Sequence, residues 1–345
     1  MKRMNRMKRL AYLTGFGGFL LLVGLIVHQG LPEILQALDR AGWLLLLLLP
    51  AHCVPLLLDA QGWKVLLAPI DPMRRATLWF LFRVACVREA VGRLLPSAGI
   101  GGEVVGIRLT RLRLADTAGV TATVIVEVLI TLVTQYLFCG LGIVMLMAAT
   151  SNLGQVWSIG AALLLSLPIP VIVYFLLRHG AVFERLGSLA KKLFGSDNRF
   201  AMGLDGARID AEVHRLFAQP FRLLQALAWQ FSGYLIGSFE TWFALLLLGH
   251  RVSPGTALAI EALTQAVRHA TFFVPGGLGV QEAGVMLFGH MAGINGEVTL
   301  SLALIKRLRE ILFGVPALLA WQWLEARLLG RLRSVTKDDT IITRK

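Results

Sequence analysis

One string of residues occurs twice. Pro96-Ser97-Ala98-Gly99-Ile100-Gly101-Gly102-Glu103 returns as Pro275-Gly276-Gly277-Leu278-Gly279-Val280-Gln281-Glu282, with the prolines and the glutamates each 179 positions apart. The same offset carries Trp63 onto Trp242, Gln61 onto Glu240, Glu89 onto Arg268 and Glu127 onto Lys306. This register marks a duplicated half-chain, which restricts the fold to two related halves meeting at one interface.

The residues around the copies set the solvent. Apolar side chains make up 56% of the 345 residues and the mean hydropathy is +0.69, well above an ordinary soluble domain. The chain therefore reads as an integral membrane protein. Lys and Arg number 34 against 21 Asp and Glu, but they sit in short clusters between apolar runs, which is the pattern of topology signals rather than of a nucleic-acid surface. Six stretches are long enough to cross a hydrocarbon core, at about 11–28, 42–68, 117–148, 157–177, 221–248 and 298–326. Two more, about 76–107 and 256–292, are each interrupted by one copy of the motif. If each is a re-entrant hairpin, 24 basic residues fall on one side, in 1–10, 70–75, 108–113, 178–222 and 327–345, and only Arg40 and Arg251 fall in loops on the other. The crowded side is then cytoplasmic and holds both termini. The helices of Trp63 and Trp242 run in opposite directions, giving repeats of opposite topology.

The expected fold is thus an all-α polytopic membrane protein, one membrane domain over 1–345 with six transmembrane helices and two re-entrant hairpins. Repeat one covers about 42–148, a cytoplasmic linker about 178–218, and repeat two about 221–326. The basic N-terminus before 11–27 resembles a signal peptide without a small-x-small cleavage site, so an uncleaved first helix is expected. Residues 31–41 suit a surface helix, Pro168 and Pro170 should kink the fourth span, and the polar tail from Ser334 is expected to be mobile. Cys53, Cys86 and Cys139 show no metal or redox spacing.

Charges within the apolar stretches are the candidates for function, because a lipid-facing charge at mid-bilayer costs about 2.5–3.5 kcal/mol. Glycine lets the backbone turn at membrane depth, where the turn must be buried in protein or line a wet cavity. The hairpin tips, Pro96, Gly99, Gly101 and Gly102 in one copy and Pro275, Gly276, Gly277 and Gly279 in the other, should therefore border a site. Glu89, Arg93, Glu103, Glu127, Arg268, Glu282, Lys306 and Arg309 are its candidate substrate- or ion-binding residues. Each also has a structural reading: Arg93 pairs with Glu89 one turn earlier, Lys64 and Arg307 snorkel to the interface, and Glu103 and Glu282 cap their hairpins. Glu127 with Lys306, and Glu89 with Arg268, are expected to pair across the repeat interface. Walker, H-E-x-x-H, G-x-S-x-G and C-x-x-C signatures do not occur, and no catalytic residue, metal or cofactor is assigned.

With these residues in view the chain resembles the flippase-like integral membrane family, best known as the membrane portion of lysylphosphatidylglycerol synthases. Val274-Pro-Gly-Gly-Leu-Gly-Val-Gln-Glu-Ala-Gly284 carries that resemblance. Val87-Arg-Glu-Ala with Leu94-Leu-Pro, Gly101-Gly-Glu-Val-Val-Gly106, and Ile305-Lys-Arg-Leu-Arg-Glu310 with Leu319-Ala-Trp-Gln-Trp323 look like the branch encoded with hopanoid biosynthesis. The resemblance implies a bacterial inner-membrane protein that moves or presents a hopanoid, isoprenoid or phospholipid, with a membrane lipid as its partner and lipid-biosynthetic enzymes as further ones. The alternative is an enzyme or accessory subunit for headgroup modification. A tRNA-dependent transferase domain is not expected, since the sequence stops shortly after its last span.

Overall fold

The structure is a computed structural model describing residues 42–95, 100–149, 153–186, 188, 205–272 and 274–342. The expected first span over 11–28, the surface helix over 31–41, the tip residues Pro96 and Gly99, and residues 189–204 of the linker lie outside them. Among the described residues every regular element is helical.

A 3-10 turn over Gly42–Leu47 leads into α1 (Leu48–Leu67), followed by α2 (Leu78–Leu94), α3 (Gly101–Thr110) and α4 (Thr117–Ala149). Then come α5 (Leu153–Ser166), α6 (Pro168–His179) and α7 (Gly206–Phe217). The second half holds α8 (Pro220–Leu247), α9 (Pro254–Ala270), a 3-10 turn over Pro275–Gly277, α10 (Val280–Met291) and α11 (Gly296–Ile342). The offset seen in the sequence persists in the helix starts. Gly101 and Val280 open α3 and α10, and Thr117 and Gly296 open α4 and α11, each pair 179 residues apart.

Local chemistry sets several ends. The Thr77 hydroxyl accepts from the Phe80 amide at 3.3 Å and the Ser253 hydroxyl from the Thr256 amide at 3.1 Å, capping α2 and α9. Pro168 and Pro170 divide α5 from α6 as expected. Pro170 has no amide to offer the Ser166 carbonyl four residues earlier, and the Tyr136 hydroxyl donates to that oxygen instead, at 2.9 Å.

Among the described residues three helices are long and apolar enough to cross a membrane: Gly42–Leu67, Thr117–Ala148 and Val156–His179. At the expected spans 221–248 and 298–326, α8 and α11 have the length but not the hydropathy. Gln230, Ser238 and Thr241 of α8 and Arg307, Arg309 and Glu310 of α11 are buried in the protein instead. The tail from Ser334, expected to be mobile, continues α11 to Ile342. The run from Ala317 to Arg333, rich in Leu, Ala and Arg, favours helix, and the tail extends it. Within the expected linker, α7 is an amphipathic helix that buries Ile209, Val213 and Leu216 and anchors Asp210 on the amides of Phe183 and Glu184.

Small residues bring the two halves together. α1 packs on α8 at Gly62 and Gly233; a β-carbon on either would stand 3.2 Å from the facing carbonyl of Ala226 or Pro55. α4 meets α9 at Gly142, where a β-carbon would lie 2.7 Å from the Ala262 methyl. One apolar core centres on Trp63, Leu66, Leu81 and Val120, and a second on Leu245, Ile260, Val285 and Leu300.

Candidate functional site

Helices from both halves turn polar faces toward a cavity of about 410 Å³. The spacing of the wall residues is helical: His52, Pro55, Leu56 and Asp59 on α1, Ala85, Arg88, Glu89, Gly92 and Arg93 on α2, and Gln230, Gly233, Tyr234, Gly237 and Glu240 on α8. α9 adds Glu261, Gln265, Arg268 and His269, and Glu103, Glu127, Arg309 and the turn at Gly276 and Gly277 also line the wall. Four arginines and six carboxylates thus share one cavity.

Arg88 is the centre of the first half. It donates to both Glu127 oxygens at 2.9 and 3.0 Å, pairs with Glu103, and lies 4.7 Å over the ring of Trp63. Gly102 of the first motif and Gly106 one turn further on make this contact possible. A β-carbon at Gly102 would stand 2.6 Å from the Arg88 carbonyl oxygen, and one at Gly106 would stand 2.7 Å from Arg88 Cδ. Asp59 accepts from Gln230 Nε2 at 3.1 Å, and the same amide donates to Thr131 at 2.7 Å, tying α1, α8 and α4 together.

Arg307 holds the second half. Its Nε and Nη2 donate to Glu282 at 2.9 and 2.7 Å, and its Nη1 donates to the Gly276 carbonyl and to Glu310, each at 2.9 Å. Gly276, Gly277 and Gly279 have φ of 63°, 60° and 75°, a region that favours glycine. A β-carbon at Gly276 would also stand 2.8 Å from the Arg93 carbonyl oxygen. Glu310 accepts from Arg93 at 3.2 Å and Arg268 at 3.4 Å, linking α2, α9 and α11. His52 lies between the halves, with Nε2 2.8 Å from Glu89 Oε2 and Nδ1 2.8 Å from Glu240 Oε1. Arg309 Nη1 contacts both His52 Nδ1 and Glu240 Oε2.

Of the residues singled out from sequence, Glu89, Arg93, Glu103, Glu127, Arg268 and Arg309 line the cavity, as do Gly276 and Gly277. Glu282 and Lys306 stand behind its wall: Glu282 is fully buried against Arg307, and Lys306 pairs with Glu261. Arg93 does reach Glu89, at 3.5 Å. The expected pairing of equivalent positions across the interface does not occur. Glu127 takes Arg88 and Lys306 takes Glu261, because α2 packs beside α4's partner α3 and α9 lies where Lys306 reaches it, so each charge is met within its own half. Nor does Arg307 snorkel. It is 8% exposed and its donors are directed inward to Glu282, Glu310 and the tip carbonyls. Sequence reasoning left His52, Asp59 and Gln230 unremarked and gave Arg88, Glu240 and Glu261 no role. The signal was present in α1, where His52 and Asp59 lie seven residues apart on one face of a largely apolar helix.

A helical protein whose apolar exterior surrounds a cavity walled by buried ion pairs belongs to the class of membrane proteins with an internal polar site. The family model of the lysylphosphatidylglycerol synthase TM region matches residues 12–317. The chain belongs to that family, which places it in a membrane. No curated protein and no solved structure matches it.

Proposed function

We propose that this protein moves or presents a lipid across the bacterial cytoplasmic membrane, taking the polar headgroup into the cavity while the apolar part remains in the bilayer. The observation that carries this reading is the cavity itself. About 410 Å³ is the size of a small-molecule site, and its wall draws on both halves of the chain, as alternating access about a repeat interface requires. Carboxylates and arginines on the wall offer contacts for an amine, a phosphate or a polyol.

Two re-entrant hairpins and inverted repeats fit the helix lengths. α2 and α3 have 17 and 10 residues, and α9 and α10 have 17 and 12. At 1.5 Å per residue each is shorter than a core of about 30 Å. With the loop charges they support a multi-pass arrangement with cytoplasmic termini. A hopanoid substrate and hopanoid-biosynthetic partners are the narrower form of the proposal, resting on the sequence resemblance alone.

The test is movement of labelled phospholipids and of a labelled hopanoid between leaflets of liposomes containing the purified protein. Glu103→Gln or Arg268→Gln should slow it about tenfold, the effect of about 1.4 kcal/mol on a barrier. No acceleration with any lipid class would sink the transport reading. The family name also favours a role beside headgroup chemistry; a modified lipid after incubation, with no movement, would establish that reading instead.

A further inference from the structure

We infer that His52 is a proton-binding site that couples pH to the cavity, exchanging the partner of its Nδ1 between Arg309 and Glu240. The inference rests on the transport reading for its consequence, though not for its geometry.

Both ring nitrogens of His52 face acceptors. Nε2 is 2.8 Å from Glu89 of α2 and Nδ1 is 2.8 Å from Glu240 of α8, positions 188 residues from His52 along the chain in the second case and 37 in the first. A neutral imidazole has one N–H and one lone pair, so it can donate to only one carboxylate; the imidazolium donates to both. Arg309 Nη1 resolves what the neutral ring does. It contacts Nδ1 as well as Glu240, so an unprotonated Nδ1 accepts from Arg309 while Nε2–H continues to donate to Glu89. The two protonation states therefore have two complete hydrogen-bond patterns. In the charged state α1 is tied to both halves, through Glu89 and Glu240. In the neutral state the tie to Glu240 is lost and Arg309 divides its donor between Glu240 and the ring.

The surroundings contain the other groups that bear on this site. α2 brings Glu89 and, through it, Arg93; α8 brings Glu240; α11 brings Arg309 and the edge of the Phe313 ring at 5.1 Å. Cys53 is the neighbouring titratable group on α1. α4 also packs on α1, but its Glu127 is committed to Arg88. Carboxylates face both ring nitrogens and Arg309 faces Nδ1, so each protonation state of the ring finds its partners already in place. His52 lines the cavity, so a proton has a path to it from the same space that would receive the headgroup. Raising the pH through the titration of His52 should loosen the joint between α1 and α8 and speed lipid movement.

Two measurements test this separately. Histidine 15N NMR of the detergent-solubilised wild-type protein, with the His52 signal identified by its loss in His52→Gln, should show the ring changing from doubly protonated to neutral between pH 5.5 and 8.5. Proteoliposomes carrying a fluorescent phosphatidylethanolamine or phosphatidylglycerol should show lipid movement rising about tenfold over two pH units, the span in which a single proton titrates from mostly bound to mostly released. His52→Gln should flatten that profile. A His52 ring that stays in one protonation state across the range overturns the proton site, whether or not lipid moves. If lipid moves with the same pH profile in wild type and His52→Gln, the coupling is overturned while transport stands; if no lipid moves at any pH, transport fails and the NMR alone decides the site.

Discussion

Replacing Arg307 by Met should weaken the anchorage of the turn at Gly276 and Gly277 more than any other single change around the site. The guanidinium is 8% exposed and Glu282 is 0% exposed. Glu282 Oε1 receives both of its hydrogen bonds from Arg307, and Oε2 has no partner among the described residues. Glu310, which also accepts from Arg307, retains Arg93 and Arg268. The loss therefore falls on Glu282, left as a buried carboxylate without compensation, and on the Gly276 carbonyl. Removing one partner of a buried pair costs about 3–5 kcal/mol, a large part of a typical folding stability of about 5–15 kcal/mol. For a chain of this size that corresponds to a fall in Tm of roughly 5–15 °C. The assay is thermal unfolding of the purified protein in one detergent, followed by intrinsic fluorescence. Arg307→Met combined with Glu282→Gln removes the stranded charge and should recover at least half of the loss. A single variant within about 1 °C of wild type, or a double variant no more stable than the single, would refute the assignment of Arg307 as the anchor of the turn at Gly276.

Other expectations follow from the same contacts. Gly102→Ala places a β-carbon 2.6 Å from the Arg88 carbonyl; the resulting shift of α3 should destabilise by about 1–3 kcal/mol and weaken lipid movement, measured by unfolding and by the liposome assay, whereas Gly92→Ala, whose β-carbon meets nothing within 4 Å, should be close to neutral in unfolding. Exchanging Glu261 with Lys306 by the double change E261K/K306E should restore stability lost in each single reversal, with a coupling of about 1 kcal/mol or more. The exchange E127K/K306E should restore nothing, and rescue there would contradict the pairing seen within each half.

The helical membrane class was legible in the sequence because hydropathy and periodicity are local properties. So were the break at Pro168, the turns at Gly276 and Gly277, and the Glu89 to Arg93 contact, each determined within a few residues. The starts of α3 and α10, and of α4 and α11, keep the 179-residue offset visible in the sequence. Partners were another matter. Glu127 and Arg88 are 39 residues apart and Arg93 and Glu310 are 217 apart, so which carboxylate meets which arginine depends on helix packing, and the repeat offset misdirected that choice. Lys306 points to α9 and Glu127 to α2. His52 escaped notice because a single histidine in an apolar helix carries no motif. Its significance arises only when Glu89, Glu240 and Arg309 converge on it.

The long separation between charge partners bears on how the chain is made. At about 5–20 residues per second, a segment of 217 residues takes on the order of 10–40 s to synthesise. During that interval Arg93 has been made while Glu310 has not, and His52 awaits Glu240. The first half is nonetheless supplied with its own temporary neutralisation: Arg88 with Glu103 and Glu127, and Arg93 with Glu89 one turn away. The second half, arriving later, brings Lys306 with Glu261 and Arg307 with Glu282 already matched. Each half is thus nearly self-compensated, and the contacts that must wait for the two to meet are those of His52 with Glu240 and Arg309 and of Arg93 with Glu310.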